Sequence, residues 1–194
     1  MLGRLIASVL VIGCICGEAV AQTIAMTPEQ ERQLACITDR LVADNADAAV
    51  AQAYASGEQE EATFETAVAA MDSAMLACQE QYDWSDAQTN LAAEIAMFQT
   101  VLDNYSWMLG DSPGVTDKSF DQLGAVLSAT PASDQGILMD GAWREDDGLI
   151  KRLSDRLVAA GLPRDPDILA YAFLVMEAKL VVTHGTKEWV GLKP

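Results

Sequence analysis

Histidine, cysteine and positive charge are all scarce in this 194-residue chain, which has 1 His, 4 Cys and 12 basic side chains. So few imidazoles and thiols exclude the usual multi-ligand zinc and haem sites. The 12 bases face 29 acids, for a formal net charge of −17. That balance argues against a nucleic-acid surface, which must neutralise phosphates. Alternating β-branched runs are missing, so strands are not expected. A G-x-S-x-G elbow, a glycine-rich phosphate loop, a C-x-x-C pair and an internal repeat are missing too. An apolar fraction of 51% nevertheless gives the chain enough material for a core and separates it from disordered acidic tails.

The N-terminus reads as a secretory signal peptide. Arg4 supplies the positive start, and Leu5 to Cys16 form an apolar run of 12 residues. Such a run is short of the roughly 20 residues needed to span a bilayer. Ala19-Val20-Ala21 places small residues at a cleavage point before Gln22. Residues 1–21 are therefore read as the leader, and 22–194 as a single α-helical domain. The expected location is periplasmic or secreted. The alternative is a lipoprotein anchored through Cys14, since Val11-Ile12-Gly13-Cys14 fits a loose lipobox. No later stretch reads as a membrane span, so no transmembrane segment is expected after cleavage.

Helical periodicity fills the rest. Thr27, Pro28 and Gln30 form a capping signal, and a helix is expected over about 28–55, interrupted by polar Asp44 and Asn45. Gly57 is its natural stop. A second helix, about 59–82, carries Phe64, Val68, Met71, Met75, Cys78 and Tyr82 at alternating spacings of four and three. Ser85 opens a third, to about 109, with Leu91, Ile95, Phe98, Leu102, Tyr105 and Leu109 on one stripe. Residues 110–116 read as a loop, Thr116 as the cap of a helix over 117–128, and 129–143 as irregular. Helices over 145–160 and 166–183 follow, ended by Gly161 and Gly185. The apolar centre of the last, 168–176, marks a buried core helix. The expected architecture is an all-α bundle of about six helices.

Cys36 and Cys78 are equidistant from Gly57. In an antiparallel helical hairpin turning there, both would lie about 30 Å from the turn, level with each other. The spacing thus predicts a Cys36–Cys78 disulfide stapling an N-terminal hairpin, as suits an exported chain.

Candidate chemistry is sparse. His184 could act as a base oriented by Glu177, but no nucleophile motif accompanies it, and a favourable contact with a helix C-terminus explains it more simply. Asp134, Asp140, Glu145, Asp146 and Asp147 offer carboxylates to a calcium ion, without matching an EF-hand. Trp84 and Trp107 are expected to close the ends of the bundle, and Met71 and Met75 to fill the core. Glu58, Glu60, Glu61 and Glu65 suit the start of the second helix. No catalytic set, metal site or cofactor site is assigned. Charge is uneven: residues 22–143 hold 20 acids and 3 bases, whereas 144–194 hold 8 of each. The function expected is therefore a non-enzymatic interaction module for a basic protein or peptide partner. Calcium binding and a hydrolase of scattered carboxylates are the alternatives.

Overall fold

A computed structural model describes residues 26–56 and 61–192. The expected leader 1–21, the alternative acylation site Cys14, the expected turn at Gly57 and the acids Glu58 and Glu60 lie outside the described residues. All regular structure among the described residues is helical. In chain order the α-helices are α1 (Pro28–Ala43), α2 (Asp47–Ser56), α3 (Glu61–Tyr82), α4 (Asp86–Gly110), α5 (Asp117–Ser128), α6 (Ala132–Met139), α7 (Asp147–Ala159) and α8 (Pro166–Gly191). A 3-10 turn, Ala142–Glu145, joins α6 to α7. In place of the expected six, eight α-helices stand among the described residues, because one is broken in two and the stretch read as irregular contains α6.

The break between α1 and α2 has a local cause. Asn45 adopts φ +56°, a left-handed conformation that asparagine tolerates better than most residues. The Ala46 N–H then bonds the Leu41 carbonyl at 2.8 Å, and the Asn45 N–H bonds that of Val42 at 3.1 Å. This is a Schellman stop, sealed by two buried apolar residues, Leu41 and Ala46. Asp83 and Gly161 end α3 and α7 the same way, with φ of +52° and +103°. At the other ends, Thr27, Ser85 and Thr116 each form a capping box. Asp165 accepts from the N–H groups of Asp167 and Ile168 ahead of Pro166.

Two apolar clusters share α4 and α8, the most extensively packed helix pair. One gathers Phe98, Leu109, Leu123, Leu153 and Met176 from α4, α5, α7 and α8. The other gathers Ile37, Leu41, Ala74, Cys78 and Ile95, closed by Trp189. The stripe expected on α4 is observed, with Ile95, Phe98, Tyr105 and Leu109 buried. That expected on α3 is rotated. Ala67, Ala74 and Cys78 face inward, while Phe64 and Val68 remain 39% and 43% exposed. Small residues let α3 approach its neighbours closely, and the large ones are displaced to its flank.

Cys36 and Cys78 form the expected disulfide, linking α1 to α3 with Cα atoms 6.1 Å apart. α8 departs from expectation at Gly185, which lies inside the helix rather than at its end. A Cβ there would sit 2.7 Å from Ile95 Cγ1, so glycine is present for close α4–α8 packing. The helix continues to Trp189, which packs edge-on against Trp84 at 5.3 Å between ring centroids. Trp84 thus closes one end as expected, but Trp107 is 70% exposed and closes nothing. At 26 residues, α8 is also long and apolar enough to cross a bilayer, the only such helix among the described residues. Within the protein it is the central core helix.

Two outcomes follow. Removing the disulfide by Cys36→Ala with Cys78→Ala frees a long loop in the unfolded chain, at a cost of about 4 kcal/mol on the chain-entropy estimate. Urea unfolding measures it, and an unchanged midpoint contradicts it. Gly185→Ala gains up to ~1 kcal/mol in helix propensity but loses ~1–3 kcal/mol by overpacking. Its melting temperature therefore falls, and a rise contradicts the close approach.

Candidate functional site

The rotation of α3 leaves an apolar groove of about 400 Å³ between α2, α3 and α4. Val50, Ala53 and Tyr54 line one side, and Phe64, Ala67, Val68 and Met71 the other, with Met97 between them. Asp72 is the one charged residue among those that line it. Helical spacing puts Glu61 and Glu65 on the same flank of α3 as Val68 and Asp72. Both are exposed. The walls of the groove thus carry apolar side chains, and its rim carries carboxylates.

Tyr54 joins the groove to a second feature. Its ring packs edge-on against Phe98 at 4.8 Å. Its hydroxyl donates to Oε1 of Glu177, which is fully buried in α8. The same carboxylate accepts from Arg144 Nη1 and Nη2, both at 3.1 Å, and from the Trp143 indole N–H at 3.0 Å. Arg144 therefore holds Glu177 in a two-pronged fork, the geometry that suits guanidinium and carboxylate best. Its guanidinium also lies 4.6 Å from the Trp143 ring centroid and 5.1 Å from that of Tyr54. Gly141, at φ +69°, makes room for the fork: a Cβ there would be 3.0 Å from Arg144 Nη1 and 3.2 Å from Glu177 Oε1.

The electrostatics match the geometry. Burial pushes the Tyr54 phenol well above its usual range, and the bond to Glu177 pushes it further. It stays protonated and acts as a donor. Burial on its own lowers the Arg144 guanidinium, but the bonds and charge of Glu177 outweigh it and the net shift is upward. With four donated hydrogen bonds, Glu177 is a satisfied structural anion rather than a reactive one.

The residues singled out in the sequence are dispersed. His184 is exposed in the body of α8, not at its C-terminus, and Glu177 is committed to Tyr54, Trp143 and Arg144. Neither the base–orienter pair nor the helix-end contact is formed. Asp134 pairs with Arg152 at 3.3 Å, and Asp146 caps α7 through the Leu149 N–H. Among the described residues, no three His, Cys, Asp or Glu side chains are placed to hold a metal ion. Cys36 and Cys78 are buried in their disulfide. Met71 lines the groove, and Met75 packs against the α1–α3 cluster.

Sequence reasoning missed Tyr54, Arg144 and the groove. One signal was available. Glu177 immediately follows the most apolar segment of the chain, where a lone carboxylate requires buried partners. No protein-family model, curated protein or solved structure matches this chain.

Arg144→Leu strands the buried carboxylate and costs ~3 kcal/mol, the low end for such pairs because Arg144 keeps some solvent contact. Adding Glu177→Leu recovers much of that loss. Urea unfolding of both variants checks the coupling, and strictly additive losses contradict it.

Proposed function

We propose that this protein is a non-enzymatic binding module whose α2–α3–α4 groove docks a basic, amphipathic peptide segment of a partner protein. Charge complementarity around the groove carries the reading. α2, α3 and α4 contain no lysine and no arginine, yet supply Asp47, Glu61, Glu65, Asp72, Glu80, Asp86, Glu94 and Asp103. A field of one sign around an apolar trough attracts a cationic helix and rejects an acidic one. The volume and apolar lining suit large side chains inserted from one helix face, in the helix-in-groove manner. The absence of convergent catalytic groups in the groove favours binding over turnover.

The disulfide supports an oxidising location, in keeping with an exported chain whose leader is 1–21. In this reading the α1–α3 staple fixes the outer wall of the groove. A preformed wall lowers the ordering cost of association.

A fluorescein-labelled helical peptide with lysines on one face and leucines on the other tests the proposal by anisotropy. Binding at low salt should weaken steeply as salt rises. Phe64→Ser with Val68→Ser, and separately Glu65→Lys with Asp72→Lys, should each weaken it about tenfold. Equal binding of a leucine–glutamate peptide, or affinity unchanged in both double variants, contradicts it.

A further inference from the structure

A second cavity adjoins Trp143, another member of the Glu177 cluster, and is lined mainly by the C-terminal segment in which charge is balanced. It occupies about 500 Å³ between α7 and α8, within the range of small-molecule sites. Trp143 and Phe173 form its base, stacked with ring centroids 5.0 Å apart and planes inclined by 15°. Ile150 and Leu169 extend the apolar wall. Lys151 and Arg164 stand at its mouth, where both reach the same carboxylate, Asp155, at 2.8 and 3.0 Å.

Two cations converge on one anion there, so the field at Asp155 is positive. The Asp155 carboxyl registers that field, since the hydrogen bond from Lys151 and then that from Arg164 hold it below its ordinary range. Lysine carries three donors and arginine five, while each gives one hydrogen bond to Asp155. Donors therefore remain for a ligand. Both side chains are largely exposed, at 80% and 68%, so they can turn toward an anion without breaking core contacts. Asp165 sits beside Arg164, but its carboxylate already caps α8. The cavity thus combines an aromatic base, aliphatic walls and a cationic mouth.

We infer that the α7–α8 cavity binds a small anionic amphiphile, its aromatic or aliphatic body against Trp143 and Phe173 and its anionic head between Lys151 and Arg164. This site is independent of the peptide groove, which is acidic and would repel the same ligand. The ligand class is a free carboxylate or sulfonate with one apolar body, matched to a cavity of this size and to two donors at one end.

Anilinonaphthalene sulfonate is a suitable probe, with neutral N-phenylnaphthylamine as its uncharged counterpart. The mature chain, residues 22–194, should bind the sulfonate at one saturable site, seen as enhanced probe fluorescence. Lys151→Gln with Arg164→Gln should weaken that binding about tenfold, the loss expected for charge-assisted bonds, and leave the neutral probe unaffected. Both substitutions are on the surface, and an unchanged circular dichroism spectrum confirms folding. Val68→Ser, in the groove, should leave sulfonate binding intact. No saturable binding, affinity unchanged in the Lys151/Arg164 variant, or loss on Val68→Ser would each overturn the site. Sedimentation with phosphatidylglycerol vesicles separates a free ligand from a membrane headgroup. The protein should stay in the supernatant, and pelleting that depends on Lys151 and Arg164 would contradict a free-ligand site.

Discussion

A carboxylate removed from water must find its donors inside the protein, and Glu177 finds them on two separate parts of the chain. Tyr54 comes from α2, more than a hundred residues earlier in the sequence, and Trp143 and Arg144 from the 3-10 turn. An unpaired charge there would cost several kcal/mol, so these elements are held against α8 together. Both candidate sites inherit their shape from this constraint. The Tyr54 ring lines the α2–α3–α4 groove, and the Trp143 ring lines the α7–α8 cavity. One buried anion therefore sets a wall in each of two cavities of opposite character.

The remaining architecture supports that arrangement from two sides. The close α4–α8 contact, made possible by Gly185, provides the common partner for both apolar clusters. The Cys36–Cys78 bridge ties α1 to α3, whose buried residues are Ala67, Ala74 and Cys78. α3 presents alanines inward, which bury little area each, so its attachment relies more on the covalent link than that of α7, with three fully buried leucines. Its larger side chains, Phe64 and Val68, are thereby left available to a partner.

Much of the helical framework was legible in the sequence, because caps and stops are local. Thr27 with Gln30, Ser85, Thr116, Gly161 and Asp165 with Pro166 mark boundaries within one helical turn. The disulfide was legible because two cysteines left in an exported chain most simply pair, although the continuous helix that the spacing argument assumed is broken at Asn45. What was not legible depends on contacts distant in sequence. The stripe of α3 was misassigned because residue size suggests which face is buried, whereas close packing selected the alanines. Gly185 resembled a stop, and only Ile95 on α4 explains it inside a helix. Asn45 was read as a polar interruption, although its left-handed backbone ends α1. The Glu177 cluster could not be read at all from local spacing. The lone acid signalled a need for partners, but nothing nearby named Tyr54.

The central claim is that Glu177 positions α2 and the 3-10 turn at once. Hydrogen–deuterium exchange of Glu177→Leu against the unaltered protein tests it most directly. Residues 47–56 and 142–145 should both lose protection, while α4 around Ile95 keeps its own. Faster exchange in only one of the two segments, or in neither, would contradict the claim.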